Sequence, residues 1–158
     1  MIPGPLVRQS QADPLMVEAP MAMTGSRKLF VNLPVKDLKR TNAFFTKLGF
    51  TFDARFCDDH ATCMVISEEA FVMLLTEARF QDFSKKALCD TRTTAEGIFA
   101  LSASSREDVD RMVKTAVASG GSTAGEPQDH GFMYGWSFFD PDGHHWEVIH
   151  MDMSALPH

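Results

Sequence analysis

The sequence predicts an α+β fold built from two β-α-β-β-β modules in tandem. A strand that runs into an amphipathic helix occurs near residue 28 and again near residue 97, and short runs of strand-forming residues follow each helix. When Phe30 is aligned with Ile98, 68 positions later, strand meets strand and helix meets helix. We therefore predict an internal duplication, with a first module at 28–77, a connecting insertion at 78–96 and a second module at 97–151.

Composition excludes several classes of function. The chain has 158 residues, 44% hydrophobic and 23% charged, as expected for one globular unit, and it has no apolar run long enough to span a membrane. A net charge of -6 without a basic block argues against nucleic acid as a partner. The 3 cysteines form no C-x-x-C pair, which favours a reducing compartment and predicts a cytoplasmic protein.

The two ends of the chain carry no folding pattern. Residues 1–27 hold 4 of the 8 prolines and no sustained hydrophobic period, so they are predicted to be a flexible leader or a non-native remnant. The leader lacks a charged start followed by an apolar core, which excludes a secretory signal. Residues 152–158 are predicted to be a tail.

Each element of the first module has its own signal. The alternating run KLFVNLPV predicts a strand, and a helix follows with Asp37 as N-cap, Gly49 as the stop and core positions at Leu38, Thr41, Phe45 and Leu48. Three further runs predict strands at 50–56, 60–67 and 70–77. In the insertion, a short helix is expected because three apolar side chains share one face: Phe80, Phe83 and Leu88.

The second module repeats the pattern from residue 97. Its helix is predicted from a capping box at Ser104 and Glu107, a stop at Gly120 and an apolar stripe at Val109, Met112, Val113, Ala116 and Val117. Strands are expected around 122–127, 132–139 and 144–150. Each module has one helix, which covers one sheet face, so the curved sheets are predicted to enclose an apolar cleft with the helices outside.

Two stretches, LPVKDLKRTNAFFTKLGF and FFDPDGHHWEVIH, give the chain a family resemblance. With the duplicated modules, it resembles the vicinal oxygen chelate superfamily, which includes glyoxalase I, bleomycin and fosfomycin resistance proteins and extradiol dioxygenases. The D-P-D-G turn followed by x-x-x-E is the most specific part. The resemblance implies a homodimer, and in enzymes of the family four inward strands each supply one ligand to a divalent metal.

The metal positions of the family are poorly matched here. Glu147 falls on the last ligand position, whereas the other three positions carry side chains without nitrogen or oxygen donors: Phe30, Leu74 and Ile98. The usual metal site is therefore predicted to be degraded, and no cofactor is expected. A rearranged divalent-metal site made by Asn32, His145 and Glu147 stays open as an alternative.

The predicted cleft is mainly apolar. Its lining is expected to be Phe30, Asn32, Leu74, Ile98, Tyr134, Trp136 and Phe138. Aromatic side chains favour an aromatic or cationic small molecule as the ligand. Glu147 is a candidate catalytic base, or an ancestral ligand now satisfied by Asn32, Tyr134 or water.

Three functions are compatible with these residues. The first is a glyoxalase-like or resistance-type protein that binds a small organic molecule without the usual metal, with or without acid–base chemistry at Glu147. The second is an active metal-dependent lyase or dioxygenase with a rearranged site. The third is a non-catalytic structural or regulatory dimer.

Overall fold

The computed structural model describes residues 25–156 as two successive modules joined by a short helix. Most of the predicted leader and the last two residues of the predicted tail lie outside the described residues. The first module consists of β1 Leu29–Val35, α1 Leu38–Lys47, β2 Thr51–Phe52, β3 Ala61–Val65 and β4 Ala70–Thr76. After α2 (Glu77–Phe83), the second consists of β5 Ile98–Ser102, α3 Arg106–Ala118, β6 Ser122–Thr123, β7 Gln128–Asp129, β8 Met133–Phe139 and β9 His145–Met151.

Both sheets have the same strand order, which confirms the predicted duplication. The first sheet is ordered β1-β4-β3-β2 and the second β5-β9-β8-β6, with β7 also paired to β8. In each sheet the first strand of the module is parallel to the last, and the other pairs are antiparallel. The chain therefore forms two mixed sheets of one topology, as the α+β prediction requires.

The ends of α1 are as predicted, and the insertion forms a short helix as expected. The Asp37 carboxylate accepts a hydrogen bond from the Arg40 backbone N–H at 3.1 Å, and Gly49 takes a φ of +100° just beyond the helix. The predicted insertion helix is α2, which ends at Phe83, so Leu88 lies outside it and that part of the prediction is wrong. The Thr76 hydroxyl caps the helix by accepting from the Arg79 backbone N–H.

The start of α3 differs from the prediction by one residue. Ser105, not Ser104, is the N-cap, and its hydroxyl accepts from the Asp108 backbone N–H at 3.1 Å. The Asp108 carboxylate in turn accepts from the Ser104 backbone N–H at 3.0 Å. The reciprocal capping interaction therefore uses Asp108 rather than Glu107.

Two predicted strands are much shorter in the structure. At 50–56, only Thr51–Phe52 joins the sheet, because the Asp53 side chain accepts from the Arg55 backbone N–H and starts a 3-10 turn. At 122–127, only Ser122–Thr123 joins the sheet. Gly125 then takes a φ of +138°, and Pro127 has no N–H to donate to a neighbouring strand.

One hydrophobic core joins the two modules on the side of the sheets that carries the helices. Phe45 of α1 lies edge-on to Trp146 of β9, with ring centroids 5.2 Å apart, and Phe44 lies 6.1 Å from Phe138 of β8. All four side chains are buried. The helix of the first module thus packs on strands of the second. We call the opposite face of each sheet, turned away from α1 and α3, its free face.

The turn between β8 and β9 connects the modules at their surface. Gly143 takes a φ of +84°, as the D-P-D-G turn predicted. The Asp142 carboxylate accepts hydrogen bonds from the Lys36 backbone N–H at 2.9 Å and the Thr41 hydroxyl at 2.9 Å. It also forms an ion pair with Arg40. The turn of the second module therefore holds the start of α1 in the first.

None of the helices in residues 25–156 combines the length and the apolar character that crossing a bilayer would require.

Candidate functional site

The free faces carry five of the predicted site residues, of which His145 lies beside Glu147 on β9. Phe30 and Asn32 lie on the free face of the first sheet, and Ile98 and Glu147 lie on that of the second. Phe30 is 51% exposed and Ile98 is 59% exposed, whereas the next residue along, Phe99, packs against the core. All five predicted residues keep the strand faces that side-chain alternation predicted.

Leu74 does not lie on the free face, and this prediction is wrong. Its side chain is fully buried in the core on the helix side of β4. Asn32 and Ala100 occupy equivalent positions when Phe30 is aligned with Ile98. Strand pairing places Met73 opposite Asn32 in the first sheet and Glu147 opposite Ala100 in the second. Met73 is therefore the counterpart of Glu147. The sequence alignment was one residue out of register, and a shift of one residue moves a strand side chain to the opposite face.

The predicted orientation of Tyr134, Trp136 and Phe138 is also wrong. In β8, Ser137 pairs directly with Glu147, and directly opposed residues of antiparallel strands point to the same face. The strand continues from Met133 to Phe139 in unbroken register with β9, without a bulge. The three aromatic residues consequently lie on the helix side.

Contacts of the three aromatic residues agree with this placement. The Tyr134 hydroxyl donates to the Asp110 carboxylate of α3 at 2.7 Å. The Trp136 indole N–H donates to the Gly125 carbonyl at 2.7 Å, and Phe138 is buried in the core. Donation of this hydrogen bond to Asp110 raises the pKa of Tyr134, with burial adding to the effect. Their role in this structure is to fix α3 and the β6–β7 loop on the second sheet.

A pocket lies where α2 crosses the free face of the first sheet. The helix contacts β1 and β4 and encloses a volume of about 470 Å³ with them. The pocket is lined by Asn32, Leu75, Phe80, Phe83 and Ser84. Sequence periodicity placed Phe80 and Phe83 on one helical face, but nothing in the sequence connected that face to Asn32, so the pocket itself was missed.

The pocket combines flat apolar surfaces with one amide. The Asn32 side-chain nitrogen donates to its neighbouring Phe30 carbonyl at 3.2 Å, which fixes the amide and leaves its oxygen and second N–H for another partner. The exposed Phe83 ring is covered on one side by the Arg79 guanidinium, 4.7 Å from the ring centroid. A second aromatic pair, Phe30 and Phe71, stacks at 5.0 Å farther along the same face.

Glu147 is a half-buried carboxylate on the free face of the second sheet. Its strand neighbours Trp146 and Val148 are both buried on the helix side. Gly135 lies beside it, and a Cβ at that glycine would be 3.9 Å from the Glu147 Oε1 atom, so the missing side chain leaves space there. Within residues 25–156 no hydrogen bond to this carboxylate is formed.

The hydrogen-bonding partners predicted for Glu147 are engaged elsewhere. Asn32 lies on the other sheet, where its amide donates to the Phe30 carbonyl, and the Tyr134 hydroxyl donates to Asp110. The expectation that Asn32 or Tyr134 satisfies Glu147 is therefore wrong. The carboxylate stays available to a ligand.

The free faces of the described residues carry few side chains that could bind a divalent metal. In the described part of the chain, no group of three or more His, Cys, Asp or Glu side chains is placed to hold a metal ion. Phe30 and Ile98 carry no donor atom, and His145 and Glu147 supply only two donors from one strand. The His145 ring packs instead against Phe139, with centroids 5.0 Å apart.

Comparison with known structures supports the fold. A hypothetical protein, SA1046, from S. aureus is 27% identical with a TM-score of 0.68, over 77% of this chain and 91% of that one. A glyoxalase/bleomycin resistance protein/dioxygenase family enzyme from Burkholderia phytofirmans PsJN is 15% identical with a TM-score of 0.65, over 78% and 97%. The fosfomycin resistance protein FosX from Listeria monocytogenes is 19% identical with a TM-score of 0.58, over 83% and 94%.

Comparison at the level of sequence identifies the family. No protein with a curated function matched the chain. The family model for the Glyoxalase/Bleomycin resistance protein/Dioxygenase superfamily matches residues 29–148, which include both modules from β1 into β9. Since the match covers most of the chain and the topology agrees, the protein belongs to this superfamily, the vicinal oxygen chelate superfamily that its sequence resembles.

Proposed function

We propose that this protein binds a small, planar and mainly apolar organic molecule in the pocket between α2 and the first sheet, without a metal held by the protein. The observation that carries the proposal is the pocket itself, in which Phe80 and Phe83 meet Asn32 and Leu75 around about 470 Å³. That volume is within the range of small-molecule sites, which combine apolar walls with a few polar groups.

The lining defines the ligand class. Flat rings favour a planar partner, and the free oxygen and N–H of Asn32 favour a ligand with one hydrogen-bonding group at its edge. Because Arg79 already lies over Phe83, a cationic ligand stacked on that ring would be repelled. A neutral or anionic aromatic compound therefore fits better than the cationic alternative.

A chemical step at Glu147 is a second candidate function. The carboxylate is half-buried on a free face, and no hydrogen bond in residues 25–156 occupies it, as a general base needs before substrate arrives. In this function Glu147 would remove or return a proton of a molecule bound at the free face of the second sheet, a place separate from the α2 pocket. The donor chemistry around it supports no metal-assisted lyase or dioxygenase step.

Assembly as a homodimer in the cytoplasm belongs to the same proposal. Phe30 and Ile98 leave large apolar surfaces exposed on the two free faces, and covering such surfaces favours association. The three cysteines are free thiols, as is usual in a reducing compartment. Analytical ultracentrifugation of the full chain tests the dimer, and a monomer at micromolar concentration would refute it.

Thermal unfolding with a panel of planar aromatic compounds tests the binding function. A ligand at 100 times its Kd adds about 2.7 kcal/mol to folding stability, which raises the midpoint by several degrees. Phe80→Ala and Asn32→Ala should weaken the response. Phe56→Ala removes an exposed ring outside the pocket, so it should leave the response unchanged.

Two results would overturn the proposal. If no planar compound shifts the midpoint, the chain is better described as a structural dimer. If elemental analysis finds a stoichiometric divalent metal that Glu147→Ala removes, the metal-dependent enzyme is the correct function. Glu147→Gln separates ligand binding from proton transfer. It should preserve binding of a neutral ligand in the α2 pocket and abolish any proton-transfer step at Glu147.

A further inference from the structure

A buried histidine at the β8–β9 turn joins the two modules. His144, at the end of the β8–β9 turn, is 1% exposed. Its Nε2 atom lies 2.7 Å from the carbonyl oxygen of Pro34, near the end of β1. Its Nδ1 atom contacts the Glu96 carboxyl group, just before β5 begins. One imidazole thus contacts the first module, the second module and the segment that connects them.

The two contacts determine how many protons the ring must hold. A backbone carbonyl can only accept a hydrogen bond, so Nε2 must carry a proton and donate it. A carboxylate also only accepts, so Nδ1 must donate as well. A neutral imidazole has a single N–H, so beside a carboxylate both contacts are satisfied together only by an imidazolium.

Charged groups around the ring favour this state. Asp140 of the turn faces His144, accepts from its backbone N–H at 3.0 Å and also accepts from the Trp146 indole N–H at 3.0 Å. Burial lowers the pKa of His144, but attraction to Asp140, the Pro34 carbonyl and Glu96 outweighs burial and raises it above its ordinary value. Burial also raises the pKa of Asp140, which His144 opposes.

The remaining charged side chains near His144 are paired or face the adjacent cavity. From α1, Arg40 pairs with Asp142 of the turn. Side chains that line the cavity beside the turn include Lys36, Glu77, Asp90 and Arg92, of which Arg92 pairs with Asp90.

We propose that the contact of Pro34, His144 and Glu96 is a proton-dependent clamp that holds the two modules together at the ends of β1 and β5. When the imidazolium loses one of its two N–H protons, that nitrogen turns a lone pair toward an acceptor. The lone pair and the acceptor repel each other, so one of the two contacts must open. β1 carries Asn32 and β5 carries Ile98, so opening changes how the free faces are placed. The effect on ligand affinity rests on the proposed function, whereas the clamp itself does not.

The two tryptophans of the chain provide reporters for a test by NMR. The Trp146 indole N–H is bound to Asp140 beside the clamp, whereas that of Trp136 is bound to the distant Gly125 carbonyl. In the full-length protein, both ring nitrogens of His144 should carry protons at pH 7. As the pH rises, the Trp146 indole signal should shift with the same midpoint as the His144 ring, and the Trp136 signal should stay still.

Three variants make the test specific. His144→Gln should abolish the Trp146 transition, and Glu96→Gln should move its midpoint to lower pH by about one unit, because a neighbouring negative charge is lost. His150→Gln is the matched control, since the His150 ring contacts the Ala103 carbonyl and forms no ion pair within residues 25–156, and it should leave the transition unchanged.

Clear results would overturn the clamp. These are an unprotonated ring nitrogen on His144 at pH 7, or a Trp146 transition that persists in His144→Gln with its midpoint unchanged in Glu96→Gln. If His144→Gln fails to fold, two measurements still test the clamp. They are the midpoint of the Trp146 transition in Glu96→Gln and the protonation of the His144 ring nitrogens in the wild type. A protein that binds no aromatic ligand would refute the pocket but not the clamp, because the NMR readout needs no ligand.

Discussion

Replacement of Asp142 by alanine is predicted to weaken the contact between the modules measurably. The Asp142 side chain is 3% exposed and accepts from the Lys36 backbone N–H and the Thr41 hydroxyl, both at 2.9 Å. Loss of each acceptor leaves a donor unsatisfied at a cost of about 1–2 kcal/mol. The ion pair to Arg40 adds little, because that side chain is 45% exposed and solvent screens the charge. Asp142→Ala should therefore lower the free energy of unfolding by about 2–4 kcal/mol.

Urea unfolding of the full chain measures this loss. Asp142→Asn keeps one side-chain oxygen as an acceptor and should lose about half as much as Asp142→Ala. Asp82→Ala is the control, since it removes an exposed surface pair with Arg79 and should change stability by less than about 0.5 kcal/mol. If Asp142→Ala proves as mild as Asp82→Ala, the turn does not hold the modules together in the way described.

Three further predictions concern the core, the turn and pH. Phe45→Ala should cost about 3–5 kcal/mol in urea unfolding, because the ring is fully buried between the modules. Gly143→Ala should be more destabilising than Gly120→Ala: both glycines have positive φ, but only at Gly143 would a Cβ lie 2.7 Å from the Thr91 hydroxyl oxygen. Since folding raises the pKa of His144 above 6.5, its stabilisation should be complete below about pH 6.5 and lost as the pH rises through the folded-state value, which stability curves against pH would show. Stability that is flat from neutral to alkaline pH would contradict this last prediction.

The fold could be predicted because its main signals are local and repeated. The apolar stripe of α3 places Val109, Val113 and Ala116 in the core, where all three are fully buried. Val117, at the edge of the same stripe, is exposed. Helical periodicity therefore located the buried face and failed only at its margin, as expected when several adjacent positions share one face.

The free-face residues were harder to predict because a strand alternates with a period of only two. Glu147 was placed correctly because the D-P-D-G turn fixes the start of β9. No comparable turn anchors β4, so Leu74 was taken for a free-face residue when Met73 holds that position. For β8, the prediction assigns the aromatic residues to the cleft, although Ser137 pairs with Glu147 and so holds the free-face position. An error of one position was enough to exchange the two faces.

The D-P-D-G-H turn shows why a specific motif need not mark the site of chemistry. Its spacing resembles the family, and Glu147, after the turn, falls on a ligand position of that family. In the structure, Asp140, Asp142 and His144 hold Trp146, the start of α1 and the connecting segment, so the turn also determines how the modules fit together. Its partners lie up to 110 residues away in sequence, at Pro34, and a pattern read within one hairpin cannot reveal them. A variant that loses ligand binding through a change in this turn would therefore report on the placement of the free faces and not on direct contact with the ligand.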